Sequence, residues 1–128
     1  MEEVPPMRTS LITTLFRILT WGCVALLALL SLLPSQEMVR TGFPGELEHF
    51  VAYAGSVAIA MAGYGTSRGV ARITICFWIY AGLLEYLQHF SPGRHPSIAD
   101  FAMSAFGALC GGLGVSLFLV RLSGVRHS

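Results

Sequence analysis

Residues 11–33 read LITTLFRILTWGCVALLALLSLL, an apolar run that contains one charged residue, Arg17. A helix crosses the roughly 30 Å hydrocarbon core of a bilayer with about 20 mostly apolar residues, so this run is long enough to span. Pro34 and Ser35 follow the run and predict the end of its helix. The rest of the chain is therefore expected to fold in and around a membrane.

Three further segments have the length and apolar character of a span, namely residues 47–64, 70–90 and 97–120. The second span is rich in Ala and Gly, which is typical of a helix packed closely inside a bundle. The predicted fold class is therefore all-α, an integral membrane bundle of four transmembrane helices. Residues 11–120 form the bundle, residues 1–10 a leader and residues 121–128 a tail.

The composition agrees with a membrane protein and excludes some functions. The chain has 128 residues, of which 54% are hydrophobic and 12% charged, and its mean hydropathy is +0.66. The basic residues are all arginine and are scattered, with a formal net charge of +1, so no basic stripe for nucleic acid is present. Cys23, Cys76 and Cys110 lie in apolar runs without CxxC spacing, which favours small buried hydrophobic residues over disulfides or metal ligands.

The arginines predict the orientation of the spans. Most arginines lie in the leader and first span, in the second connection and in the tail, and fewer lie in the first and third connections: Arg8, Arg17, Arg68, Arg72, Arg121 and Arg126 against Arg40 and Arg94. Loops rich in arginine stay on the cytoplasmic side, so both termini are predicted to be cytoplasmic. The leader is acidic and no A-x-A site follows the first run, so we expect that run to be an uncleaved helix and not a signal peptide.

This topology gathers polar side chains at the outward-facing ends of the second, third and fourth helices. Residues three or four positions apart share a helix face, which groups His49 with Tyr53, Glu85 with Gln88, and Asp100 with Ser104. The predicted ligand-binding or polar cluster is His49, Tyr53, Glu85, Gln88, Arg94, Asp100 and Ser104.

Glu85 is the least expected member of this cluster. It lies near the C-terminal end of its helix, where the helix dipole disfavours a negative charge, and at the edge of the hydrocarbon. We expect the Arg94 guanidinium to bridge Glu85 and Asp100 across the S-P-G turn and neutralise both carboxylates. The alternative for Asp100 is a capping box with Ser97, in which the carboxylate accepts a backbone N–H at the helix start.

Gly107 and Gly111 form a GxxxG motif in the fourth span, and such small residues let another helix approach closely. An intramolecular contact is the expected use of the motif, and a homodimer is the alternative.

Taken together, these motifs resemble the VanZ-like family of small bacterial membrane proteins. The resemblance runs from H-F-x-x-Y at His49 through E-x-x-Q at Glu85 and P-G-R at residues 92–94 to Asp100 with Gly107 seven residues later. This chain has Gly45-Glu46 where family members often carry Asp-Lys, and Ser104 where they often carry Asn. The resemblance implies a protein of the bacterial cell envelope in the cytoplasmic membrane, and the founding type is associated with lowered susceptibility to teicoplanin.

Three functions remain open at this stage. The first is binding of a membrane lipid, a lipid-linked cell-wall headgroup or a glycopeptide between helices two, three and four. The second is acid–base catalysis on a lipid-linked phosphate or glycosyl bond by Glu85 and His49, although no GxSxG, HExxH or Walker motif is present. The third is a structural role with a membrane-protein partner. No cofactor is predicted, and a zinc site from His49, Glu85, His89 and Asp100 has only weak support.

Overall fold

The chain folds into four long helices in the computed structural model, which describes residues 7–65 and 69–125, with side chains from residue 11 onward. The helices are α1 (Met7–Leu32), α2 (Gly45–Tyr64), α3 (Gly69–Leu87) and α4 (Ile98–Val125). Short 3₁₀ turns follow α1 at Ser35–Glu37 and α3 at Gln88–Phe90. The described residues contain no strand, which confirms the all-α prediction.

Three of these helices are long and apolar enough to cross a membrane, at Leu11–Leu32, Gly69–Phe90 and Ile98–Val125. The second predicted span corresponds to α2, whose first turn carries Glu46 and Glu48. The last helix continues to Val125, beyond the predicted end at residue 120, because no proline or charge cluster interrupts it. Three of the arginines used for orientation, Arg8, Arg68 and Arg126, have side chains outside the described residues.

The centre of the bundle is α2, which contacts the other three helices and packs most extensively against α4. Its buried positions combine small residues with Tyr53, Val57 and Met61. Phe77 and Leu84 of α3 complete the core around it. The Ala- and Gly-rich composition of this helix therefore matches its central position, because small side chains let three neighbours approach it.

The outer faces of the other helices carry large apolar side chains that no part of the described chain covers. They include Leu11, Ile18, Leu29, Ile79, Leu83, Leu117 and Phe118. A soluble monomer rarely exposes so much apolar surface, whereas a bundle in a bilayer presents such a surface to lipid.

The prediction of buried cysteines is wrong for Cys76, which is exposed, and Cys23 and Cys110 are half-buried free thiols. Their apolar surroundings extend to this lipid-facing surface, which a sequence pattern does not distinguish from a core.

The glycines of α4 allow its backbone to touch that of α2. A Cβ atom at Gly107 would collide with the carbonyl oxygen of Phe50, and one at Gly111 with that of Ala54. Nothing lies within 4 Å of the corresponding position at Gly114. Gly107 and Gly111 thus form an intramolecular contact between α4 and α2.

The bundle has two distinct ends. At one end, which we call the polar end, α1 and α3 finish and α2 and α4 begin. At the opposite end Arg17 of α1 donates from Nε to the carbonyl of Gly63 at 2.9 Å and lies over the Tyr64 ring, while Trp21 donates to the Tyr64 hydroxyl at 2.9 Å. These contacts hold α1 closely against α2 at that end.

We expect Gly111→Ala to destabilise the protein by about 1–3 kcal/mol, because the added methyl group forces α4 away from the Ala54 carbonyl. The matched control is Gly114→Ala, which meets open space and should leave stability unchanged or raise it slightly through helix propensity. Thermal unfolding in detergent measures both. Equal effects of the two substitutions would show that the α2–α4 contact does not depend on the small residue.

Candidate functional site at the polar end

A tight turn joins α3 to α4 and directs Arg94 towards the end of α1. The Arg94 backbone N–H donates to the Ser91 carbonyl at 3.1 Å. Gly93 has a φ of +72° and follows Pro92, as the third position of a type II turn requires. The Pro-Gly pair therefore sets the direction in which Arg94 leaves the turn.

Arg94 binds the C-terminal end of α1. Its Nε donates to the Leu33 carbonyl at 3.0 Å, one terminal nitrogen donates to the Leu30 carbonyl, and the other contacts the Met38 sulfur at 2.8 Å. Ser91 adds a hydrogen bond from its hydroxyl to the Leu32 carbonyl at 2.8 Å. The last carbonyls of a helix lack partners within the helix and carry a partial negative charge, so a cation is favourable here.

The predicted bridge from Arg94 to Glu85 and Asp100 is therefore wrong. In the part of the chain that the structure describes, the close pair of ionisable groups is instead His49 with Asp100, whose Nε2 and Oδ2 atoms are 4.0 Å apart. The physical reason is that the helix ends offer both charges better partners, since unpaired backbone groups in a membrane are costly.

Glu85 caps the start of α4. Its Oε1 accepts the backbone N–H of Ser97 at 2.6 Å. The Ser97 hydroxyl in turn accepts the backbone N–H of Asp100 at 3.3 Å, which is one half of a capping box. The predicted second half, from Asp100 to Ser97, is supplied by Glu85 from α3. The Glu85 carboxylate thus lies at a helix N-terminus, where the dipole favours an acceptor, and Asp100 is left to face His49 of α2.

His49 links α2 to two residues of α4. Its Nδ1 lies 3.1 Å from the Ser104 hydroxyl, while Nε2 faces the Asp100 carboxylate. The three residue types are those of serine hydrolases, but the ring nitrogens are exchanged, since in that triad Nε2 contacts the serine and Nδ1 the aspartate. Ser104 is also only 2% exposed and does not line the cavity. The contact therefore fixes the orientation of the imidazole between the helices.

The other predicted site residues are part of the packing. Tyr53 and Gln88 are each 3% exposed, and Tyr53 packs edge-on against Phe77. His89 lies in the 3₁₀ turn and contacts the Tyr86 carbonyl at 2.8 Å. Among the described residues no group of three His, Cys, Asp or Glu side chains could hold a metal ion, so the four zinc ligands considered above do not converge.

A half-open cavity of about 370 Å³ lies between the polar ends of α1 and α2. That volume is within the range of small-molecule sites, roughly 300–1,000 Å³. The apolar lining residues are Leu27, Leu30, Leu33, Met38, Val39 and Ala52. The polar lining residues are Ser31, Thr41, Glu48, His49 and Arg94. The cavity thus joins a long apolar wall to a small polar group of residues.

The cavity differs from the predicted site in its place and in its residues. The sequence predicts a site between helices two, three and four, whereas the cavity lies between α1 and α2. Of the predicted residues it contains His49 and Arg94, and it adds Glu48, Thr41 and Met38. Glu48 directly precedes His49 in the sequence, but a carboxylate in the first turn of a helix is also typical of simple stabilisation of the helix start.

No protein-family model, curated protein or solved structure matches this chain significantly.

We expect Glu85→Leu to lower the free energy of unfolding by about 1–3 kcal/mol, because the Ser97 N–H loses its acceptor. Glu85→Gln keeps an acceptor oxygen and should retain most of the stability. Glu46→Leu removes an exposed carboxylate from another helix start and is the matched control. Thermal unfolding in detergent compares the three variants, and a Gln variant as unstable as the Leu variant would contradict the capping role.

Proposed function

We propose that this protein is a four-span protein of the bacterial cytoplasmic membrane that binds the phosphate headgroup of a lipid in the cavity between α1 and α2. Both termini lie in the cytoplasm, and the polar end faces the outer leaflet. Support for the spans comes from the three apolar helices and from α2, whose 20 residues match the bilayer thickness. Support for the orientation comes from the distribution of arginines.

The proposal rests on the hydrogen-bond partners of Arg94, whose side chain lines the cavity. A guanidinium has five N–H donors, and in this structure three nitrogens contact Leu33, Leu30 and Met38. No carboxylate in the described part of the chain forms an ion pair with it. An arginine that is held by neutral groups and still has donors to offer is suited to a phosphate.

The apolar side of the cavity is suited to the acyl chains of such a lipid. Leu27 and Leu30 of α1 and Ala52 of α2 border the same cavity as Arg94. A lipid would place its phosphate at Arg94 and the first part of its chains along these side chains. Met38 and Thr41, in the connection between α1 and α2, line the same cavity and would border the headgroup.

The VanZ-like resemblance favours a cell-envelope context for this binding. Within that context the ligand is a membrane lipid, a lipid-linked cell-wall precursor or a lipophilic glycopeptide, and binding would alter susceptibility to antibiotics that act on the cell wall. Acid–base catalysis by Glu85 and His49 has less support, because Glu85 accepts the Ser97 N–H and does not line the cavity.

The test is lipid binding by the purified full-length protein, measured by native mass spectrometry with diacyl phospholipids of one chain length. We expect Arg94→Gln to weaken binding by about tenfold or more, because it removes a charge-assisted contact to phosphate. Arg94→Lys keeps the charge but not the planar fork and should have an intermediate affinity.

Arg40→Gln is the matched control, because Arg40 is exposed in the connection between α1 and α2 and does not line the cavity. Since Arg94 also caps α1, the thermal stability of each variant is measured beside binding. Unchanged binding by a folded Arg94→Gln protein would overturn the proposal.

A further inference from the structure

The cavity contains a negative charge as well as a positive one. Glu48, in the first turn of α2, lines the same cavity as Arg94 and is half-buried. Its carboxylate accepts a hydrogen bond from the Thr41 hydroxyl in the preceding connection. The start of a helix favours a carboxylate, and the contact with Thr41 holds the Glu48 side chain in a defined place.

Glu48 and Arg94 do not neutralise each other. Within the described residues the pair of ionisable groups that lie within 4.0 Å of each other is His49 with Asp100, so the Glu48 carboxylate and the Arg94 guanidinium are farther apart than an ion pair. Arg94 is anchored to the end of α1 and Glu48 to Thr41, and these contacts keep the two charges at separate places in the cavity wall. Two partly desolvated charges of opposite sign, held apart, are complementary to a ligand that carries both signs.

The chemistry of the wall also specifies the kind of cation. A quaternary ammonium group has no N–H donors and is recognised by aromatic cages. The described residues that line this cavity include no Phe, Tyr or Trp. What lies there is a carboxylate with the Thr41 hydroxyl beside it, and both have oxygen atoms that accept hydrogen bonds from a primary ammonium group.

We propose that the cavity selects a zwitterionic phospholipid with a primary amine, of the phosphoethanolamine type. The phosphate contacts Arg94, the ammonium group contacts Glu48 and Thr41, and the glycerol and upper chains lie along Leu27 and Leu30. An anionic headgroup without an amine is disfavoured, because Glu48 would remain unpaired beside it. This inference rests on the proposed function, since it requires a phosphate at Arg94.

The experiment compares lipids that differ only in the headgroup. Full-length protein in detergent is titrated with phosphoethanolamine, phosphocholine and phosphoglycerol lipids of identical chains, and bound lipid is counted by native mass spectrometry. We expect the wild type to prefer phosphoethanolamine over both others by about tenfold, which corresponds to about 1.4 kcal/mol. The comparison of lipids needs no substitution and so does not depend on whether a variant folds.

Glu48→Gln keeps an acceptor for Thr41 but removes the charge, and we expect it to lose most of the preference while still binding phosphate lipids. Glu46→Gln, at an exposed position of the same helix turn, should keep the wild-type preference.

A wild-type protein that binds the three lipids equally, or a folded Glu48→Gln protein that keeps the full preference, would overturn this inference. If binding still depends on Arg94 in that case, the proposed function stands and only the choice of headgroup fails. If binding of every phosphate lipid is independent of Arg94, the proposed function fails with it.

Discussion

The contact between Arg94 and the last carbonyls of α1 is the interaction on which the polar end of this molecule depends. A helix that ends in a bilayer leaves backbone carbonyls without partners, and each unsatisfied group in hydrocarbon costs several kcal/mol. Arg94 and Ser91 supply donors to the carbonyls of Leu30, Leu32 and Leu33 from a different part of the chain. The same contact brings the α3–α4 turn over α1 and places a guanidinium in the cavity wall.

Glu85 acts in the same way at the start of α4. Glu85 and Arg94, which the sequence predicts to form an ion pair, each bind the helix end whose partial charge is opposite to their own. As a result, the helices at the polar end are joined by contacts from side chains to backbone groups as well as by contacts between side chains. The proposed ligand binding is therefore coupled to stability at Arg94, because this one side chain both contacts the end of α1 and lines the cavity.

Packing at the two ends of α1 explains why the cavity lies where it does. Away from the polar end, Gly63 lets α2 approach the α1 backbone, where a Cβ atom would lie 2.9 Å from the Arg17 nitrogen. Towards the polar end the facing residues are Leu27 and Leu30 of α1 with Glu48 and Ala52 of α2, and they enclose space between them. On its other side, α2 lies in close backbone contact with α4 at Gly107 and Gly111.

The number and approximate bounds of the helices could be predicted from the sequence, because apolar runs and the breaks at Pro34 and Pro92 are local signals. The gathering of polar residues at one end also follows from topology. Their partners could not be predicted, because Arg94 and Glu85 bind backbone groups of Leu33 and Ser97, and a backbone group leaves no mark in the residue pattern. The position of the cavity between α1 and α2 could not be predicted for a related reason. It depends on how far two helices separate, and neither residue spacing nor charge encodes that distance. The VanZ-like family assignment stays a prediction from the motifs.

A structure of the full-length protein determined with a short-chain phosphoethanolamine lipid is the most direct measurement of this account. We expect Arg94 to keep its bonds to the Leu30 and Leu33 carbonyls while a phosphate oxygen lies within hydrogen-bond distance of its free N–H groups in the α1–α2 cavity. A lipid bound between α2, α3 and α4, or an Arg94 side chain paired with Glu85 or Asp100, would contradict it.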